Sequence, residues 1–143
     1  MCLIMVAMAP ASEIEVLRDA ARKAEEVGLR VELEHSLRCR WARDRPARAV
    51  ISEDGGCACS LLSDQADWNA DVWSMRPDIL DRLGRTLQVL ADNGPATLSV
   101  EALWVGEVPR ETITVTAAEL AVLARSSRLG TRTRYELSRS AAG

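Results

Sequence analysis

Two of the chain's four thiols, Cys57 and Cys59, stand two residues apart behind a pair of glycines, in the run Gly55-Gly56-Cys57-Ala58-Cys59. On an extended backbone both sulfurs would point to one side, because side chains alternate with a period of two. Such a pair could hold a metal ion, close a strained small-ring disulfide, or act as a catalytic or redox thiol once one sulfur loses its proton. The glycines allow a sharp turn ahead of the thiols and would leave them exposed. The plainer reading makes both of them small buried residues on the inward side of a strand.

The other thiols are Cys2 and Cys39. With His35, the only histidine, Cys39, Cys57 and Cys59 supply the ligand types of a tetrahedral zinc site. Spacing argues against that set. Along a regular strand His35 and Cys39 would lie about 13 Å apart at ~3.3 Å per residue, whereas ligands of one zinc lie within about 4 Å of each other. Cys57 and Cys59 are therefore the first metal candidates, and Cys39 and His35 the weaker ones. His35 also falls on the apolar parity of its strand, where a lone histidine more often serves the core than catalysis.

A second candidate surface is the arginine-rich stretch 38–48, with Arg38, Arg40, Arg43, Arg45 and Arg48 around Trp41. Arginine contacts phosphate and tryptophan stacks on bases, so this stretch could bind RNA or a nucleotide. Its alternative is a solvated loop, or one paired with the acidic stretch that follows. From Ala49 to Asp81 there are seven acids and one arginine. Asp67 and Asp71 would share a face if this region were helical, but the pattern is not a calcium loop. Neither a Walker loop nor a GxGxxG turn is present.

The elements that would position these residues follow from periodicity. Residues 2–9 are a continuous apolar run, as in a strand covered on both faces, and read as that rather than as a signal peptide. Ser12 and Glu15 have the spacing of a capping box for a helix over 12–28, with Gly28 suited to its left-handed terminus. Residues 29–37 alternate strictly and predict a half-exposed strand. Residues 47–53 predict a third, and the turn signal Asp54-Gly55-Gly56 predicts that 57–62 pairs back as a hairpin. Pro77 opens a second helix, ending at Asn93-Gly94-Pro95. Strands follow at 97–105 and 112–115, then a helix capped by Thr116 and Glu119 and closed by Gly130, then a strand over 131–137.

This order predicts an α+β fold: a ferredoxin-like, split βαβ sheet with both early helices on one face, plus a C-terminal strand–helix–strand extension. Residues 1–137 form one expected domain, and 138–143 a frayed tail. Arginine supplies all but one of the 18 basic residues, which reads as GC-rich, bacterial-looking coding. A net charge of −3 gives no bulk drive toward nucleic acid. No apolar run approaches the ~20 residues of a membrane helix. Four unevenly spaced cysteines suit a cytoplasmic chain better than a secreted disulfide scaffold. Three functions fit these features: a small accessory or interaction domain, self-associating or docking on a protein partner; a thiol- or zinc-dependent protein centred on Cys57 and Cys59; and an RNA- or nucleotide-binding module using 38–48.

Overall fold

The apolar run at the start of the chain becomes β1 (Leu3–Ala9), a strand with side chains buried on both faces. A computed structural model describes residues 3–33, 45–55, 57–67, 69–104 and 106–138. Cys2, His35, Cys39, Arg38, Arg40, Trp41 and Arg43 lie outside the described residues, as do Gly56, Trp68 and 139–143. β1 leads into α1 (Ile14–Val27), β2 (Arg30–Leu33), β3 (Ala47–Ser52), α2 (Leu80–Asn93), β4 (Ser99–Trp104), β5 (Glu111–Val115), α3 (Ala117–Arg125) and β6 (Thr133–Leu137). The fold is thus mixed α+β, and the described strands form one sheet in the order β2-β3-β1-β4-β6-β5. All neighbours are antiparallel except β5 and β6. Among the described residues no helix is long and apolar enough to cross a membrane.

Strand parity divides the core. Met5 is opposite Ile51 and Ala102, and Ala7 is opposite Ala49 and Val100, so all six share one face. That face meets Leu17, Ala20 and Ala24 of α1, Leu83, Leu87 and Leu90 of α2, and Leu120 and Ala124 of α3 in one apolar cluster. α1 packs on α2 and α2 on α3. Each fully buried leucine here contributes about 1.5–3 kcal/mol. Val6 and Met8 point the other way, onto a smaller cluster with Ile4 and Val50. Glu101 lies beside Val6 in that register, fully buried, and accepts a hydrogen bond from the Arg134 guanidinium of β6. Burial of this carboxylate is tolerable because it is paired.

Several local expectations resolve differently. The box at Ser12 and Glu15 does not form: a 3-10 turn over Ala11–Glu13 precedes α1, the Glu13 N–H donates to the Pro10 carbonyl, and Glu15 pairs with Arg18. The Thr116–Glu119 box does form, in both directions. α3 is closed by Ser127, not by Gly130. Ser127 takes the left-handed conformation (φ 54°) while the N–H groups of Ser127 and Arg128 return to the carbonyls of Ala124 and Leu123. That is a Schellman ending with serine in the glycine position. The serine hydroxyl donates to the Trp73 carbonyl and accepts from the Met75 N–H, which offsets the cost of the conformation.

Gly28 is not left-handed either (φ −151°). It is small because α2 lies against it: a Cβ there would meet Thr86 Oγ1 at 2.1 Å. The same hydroxyl accepts the buried Leu29 N–H and donates to the Arg82 carbonyl, so it cannot retreat freely.

Residues 57–62 do not form a hairpin strand. A 3-10 turn over Cys59–Leu61 follows Ala58, and the chain then bridges from Leu62 to Met75. The acidic stretch is likewise not helical around Asp67, whose carboxylate accepts the Asn69 N–H in a local turn. Arg76 holds the region together. Its guanidinium forks onto Glu53 at the end of β3, pairs with Asp78 ahead of α2, and donates to the Ser60 carbonyl. These hydrogen bonds hold the carboxyls of Glu53 and Asp78 below their ordinary values.

Gly28→Ala is expected to destabilise the fold by about 1–3 kcal/mol through overpacking, read by urea unfolding. The penalty should shrink in a Thr86→Ala background, where the contacting hydroxyl is gone; an equal penalty in both backgrounds refutes the packing account. Arg76 gives an acid-stability prediction. Carboxyls with depressed native values stabilise above their unfolded values, and that stability is lost as pH falls through the native ones. Wild type should therefore lose its advantage over Arg76→Met as pH falls below about 4.5. A stability gap between the two proteins that is constant from pH 7 to pH 3 would contradict this.

Candidate functional site

The thiol turn is built against the first residue of β1. Gly55, with φ +104°, turns the chain after β3. The Ala58 N–H then donates to the Leu3 carbonyl at 2.9 Å, and the Leu3 N–H donates to Cys59 Sγ at 3.1 Å. The Cys59 N–H in turn reaches Cys57 Sγ at 3.3 Å. Each sulfur thus accepts a backbone N–H. Both cysteines are half-buried, with Cys59 against the main core and Ala58 between them fully buried. The expected extended geometry, with both sulfurs on one side, is replaced by a turn at Ala58 (φ −89°, ψ 8°). Among the described residues no group of three or more metal-ligating side chains comes together. His35 and Cys39, the other zinc candidates, lie outside the described residues.

Of the arginine-rich stretch, Arg45 and Arg48 are described. Both are turned into the fold. Arg48 sits on β3 opposite Met8, nearly fully buried, and its Nε donates to the Arg45 carbonyl. Arg45 donates to the Thr97 carbonyl and pairs with Glu136 of β6. That ion pair runs to the last strand and not to the acidic stretch.

Sequence reasoning passed over a second site. A cleft of about 880 Å3 opens between α3 and the β5–β6 pair. Its floor includes Ile113, Val115, Leu123 and Tyr135, and Val72 and Val122 stand exposed at its margin. Tyr135 accepts the Gly130 N–H at 2.7 Å, and burial pushes its phenol above the ordinary value, so the hydroxyl keeps a proton to donate. Arg110, Arg128, Asp71 and Glu111 complete the lining with both signs of charge. Trp73 supports this wall: its backbone N–H donates to the Leu129 carbonyl, and Val72 bridges to Gly130.

β5 forms the outer lip of the cleft and ends the sheet. The Glu111 N–H donates to the Arg132 carbonyl, and the Val115 carbonyl accepts from Ser138, so the backbone groups of Glu111, Ile113 and Val115 face β6. Those of Thr112 and Thr114 therefore face outward, and no described residue bonds them. The opposite edge is guarded: the outward N–H of Val31 in β2 donates to the Glu25 carboxylate, between exposed Arg30 and Glu32. The signal for the open edge was present in the sequence as Thr-Ile-Thr-Val, a run of strand formers with neither lysine nor proline. The run could not reveal that it would be left outermost.

Compared with known proteins, the chain matches no family model, no curated protein and no solved structure.

Proposed function

We propose that this chain is a small interaction domain that joins a second copy of itself, edge to edge, through β5. The observation that carries the proposal is the open edge: Thr112 and Thr114 present outward backbone donors and acceptors on a strand bordered by exposed apolar side chains. An unguarded edge is a template for another strand.

A second copy fits this edge because the run Thr112-Ile113-Thr114 reads the same in both directions. In an antiparallel pair centred on Ile113, each Thr112 faces a Thr114 and both exchange hydrogen bonds, as outward-facing groups require. The two Ile113 side chains meet on the helix face of the sheet. Glu111 falls opposite Val115 and Arg110 opposite Thr116, so no like charges oppose each other. Thr–Thr and apolar cross-strand pairs each add about 0.2–1 kcal/mol. Val122 and Val72, 62% and 41% exposed, border the same seam and would be covered in part by the second copy. A contact of this kind is small, so association should be reversible and concentration-dependent.

The rest of the fold serves as the platform. Parallel β1 and β2, joined by α1 with β3 inserted antiparallel between them, support a ferredoxin-like reading of the first half. On that reading β4 completes the unit, and β6 and β5 extend it to the edge that is used. Four unevenly spaced cysteines suit a cytoplasmic setting for such a domain better than a secreted disulfide scaffold.

Light scattering over a wide concentration range tests the proposal. Wild type should pass from monomer to dimer as concentration rises. Ile113→Lys and Ile113→Glu should each be monomeric, because like charges would then lie directly opposite. An equimolar mixture of the two variants should dimerise again, which a folding defect could not produce. Wild type that stays monomeric throughout, or variants that dimerise alone, would overturn it.

A further inference from the structure

We infer that the cleft between α3 and the β5–β6 pair binds a free α-amino acid with a large apolar side chain, its ammonium and carboxylate held at the end near Gly130 and its side chain laid against α3. The inference goes beyond the edge pairing and does not depend on it. It uses side chains on the helix face of the sheet, whereas pairing uses the outward backbone groups of Thr112 and Thr114.

Size and apolarity come first. At about 880 Å3 the cleft falls within the roughly 300–1,000 Å3 of small-molecule sites. Six large hydrophobic side chains stand exposed among the described residues, and three of them, Val72, Ile113 and Val122, line this one cleft. Exposed apolar surface gathered in one concavity marks a binding site.

The charged lining divides into groups already used and groups left over. Glu119 is committed to the Thr116 cap and Arg132 to Glu107. Among the described residues the side chains of Arg110, Arg128, Asp71 and Glu111 enter no ion pair or hydrogen bond. All four gather at one end. Arg110 and Glu111 open β5 and donate their backbone N–H groups to the Arg132 carbonyl, the Asp71 carbonyl accepts the Thr131 N–H, and Arg128 lies just ahead of Gly130 in the chain. A plain anion or a plain cation would meet a repelling neighbour here. A head group that carries both charges on one carbon meets a partner for each.

Tyr135 is the buried element of this end. It is 4% exposed, and its hydroxyl accepts the Gly130 N–H, which leaves the phenolic proton with no acceptor among the described residues. A buried donor is costly to leave unmatched, and a ligand carboxylate would accept it. Burial raises the phenol's pKa, and the nearby Glu111 charge adds to that rise. An ammonium on Glu111 and a carboxylate on Tyr135 and the arginines therefore lie side by side, as they do on an α-carbon. From that end Ile113, Val115 and Leu123 lead toward Ala118 at the start of α3, an apolar course for the ligand's side chain.

Isothermal titration of the intact protein tests the inference. The probes are L-phenylalanine and L-leucine, with 3-phenylpropanoate, which lacks the ammonium, and 2-phenylethylamine, which lacks the carboxylate. At least one amino acid should bind saturably, and both fragments should bind about tenfold or more weakly than L-phenylalanine, because each forfeits a charge-assisted hydrogen bond. The fragments also assign the residues. Glu111→Gln should weaken the amino acid about tenfold and leave 3-phenylpropanoate no weaker. Arg128→Gln should weaken the amino acid and leave 2-phenylethylamine no weaker. A folding defect would weaken every probe alike, so this matching of residue to ligand group is its own control. The inference is overturned if neither amino acid binds, if either fragment binds as tightly as L-phenylalanine, or if each variant weakens all probes equally. Light scattering reads the β5 pairing separately, so a protein that dimerises without binding, or binds without dimerising, shows which of the two proposals has failed.

Discussion

The indole of Trp73 closes a gap that the sheet leaves open. β6 pairs with β4 only over Ser99–Glu101, so the next outward carbonyl of β4, that of Ala102, has no strand to meet. Trp73 reaches it with its indole N–H at 2.9 Å and lies edge-on to Trp104, ring centres 5.2 Å apart. A buried carbonyl left without a donor would cost about 1–3 kcal/mol. The ring therefore has to enter here, and the irregular stretch that carries it has to follow. Two residues further along β4 the same shortage recurs, and Glu107 meets it by accepting the Trp104 N–H with its carboxylate and donating its own N–H to the Trp104 carbonyl.

Once Trp73 is fixed, its neighbours become a strap between the two candidate sites. On one side Val72 bridges to Gly130 and the Met75 N–H reaches Ser127, which sets the wall of the cleft. On the other side Met75 bridges to Leu62, and Arg76 takes the carbonyls of Ser60 and Leu61 through its guanidinium and its backbone N–H, which sets the thiol turn. The strap has little regular structure of its own. Its backbone groups are satisfied by loops and strand ends that are distant in sequence, so its shape is a property of the assembled core.

The two edges of the sheet were treated differently for a physical reason. β2 follows α1 closely, and Glu25 on the last turn of that helix is near enough to take the outward N–H of Val31. Among the described residues no helix lies beyond β5. α3 starts two residues after β5 and folds back over the sheet face, because its buried stripe of Leu120, Ala121 and Ala124 belongs to the core. Burying that stripe leaves Val122 outside and the edge uncovered by any described residue. Stability of the domain and availability of its edge thus come from the same choice of helix face.

Local rules were legible wherever one segment contained both halves of an interaction. The apolar run of β1, the alternation leading into β2, the stripes of α1 and α2 and the Thr116–Glu119 box could all be read from the chain alone, because each depends on residues a few positions apart. The misreadings share the opposite feature. Gly28 is glycine because Thr86 presses on it, Ser127 occupies a glycine position because Trp73 and Met75 use its hydroxyl, and the cysteines turn because Leu3 offers its N–H to Cys59 and its carbonyl to Ala58. The open edge of β5 also belongs to this group, since a strand former announces a strand but not its place in the sheet. The sequence by itself determined where elements form and which faces are apolar. The tertiary structure decided which edge stays open and which way two thiols face, because both depend on contacts between residues more than fifty positions apart or on the order of strands, and neither is written in local spacing.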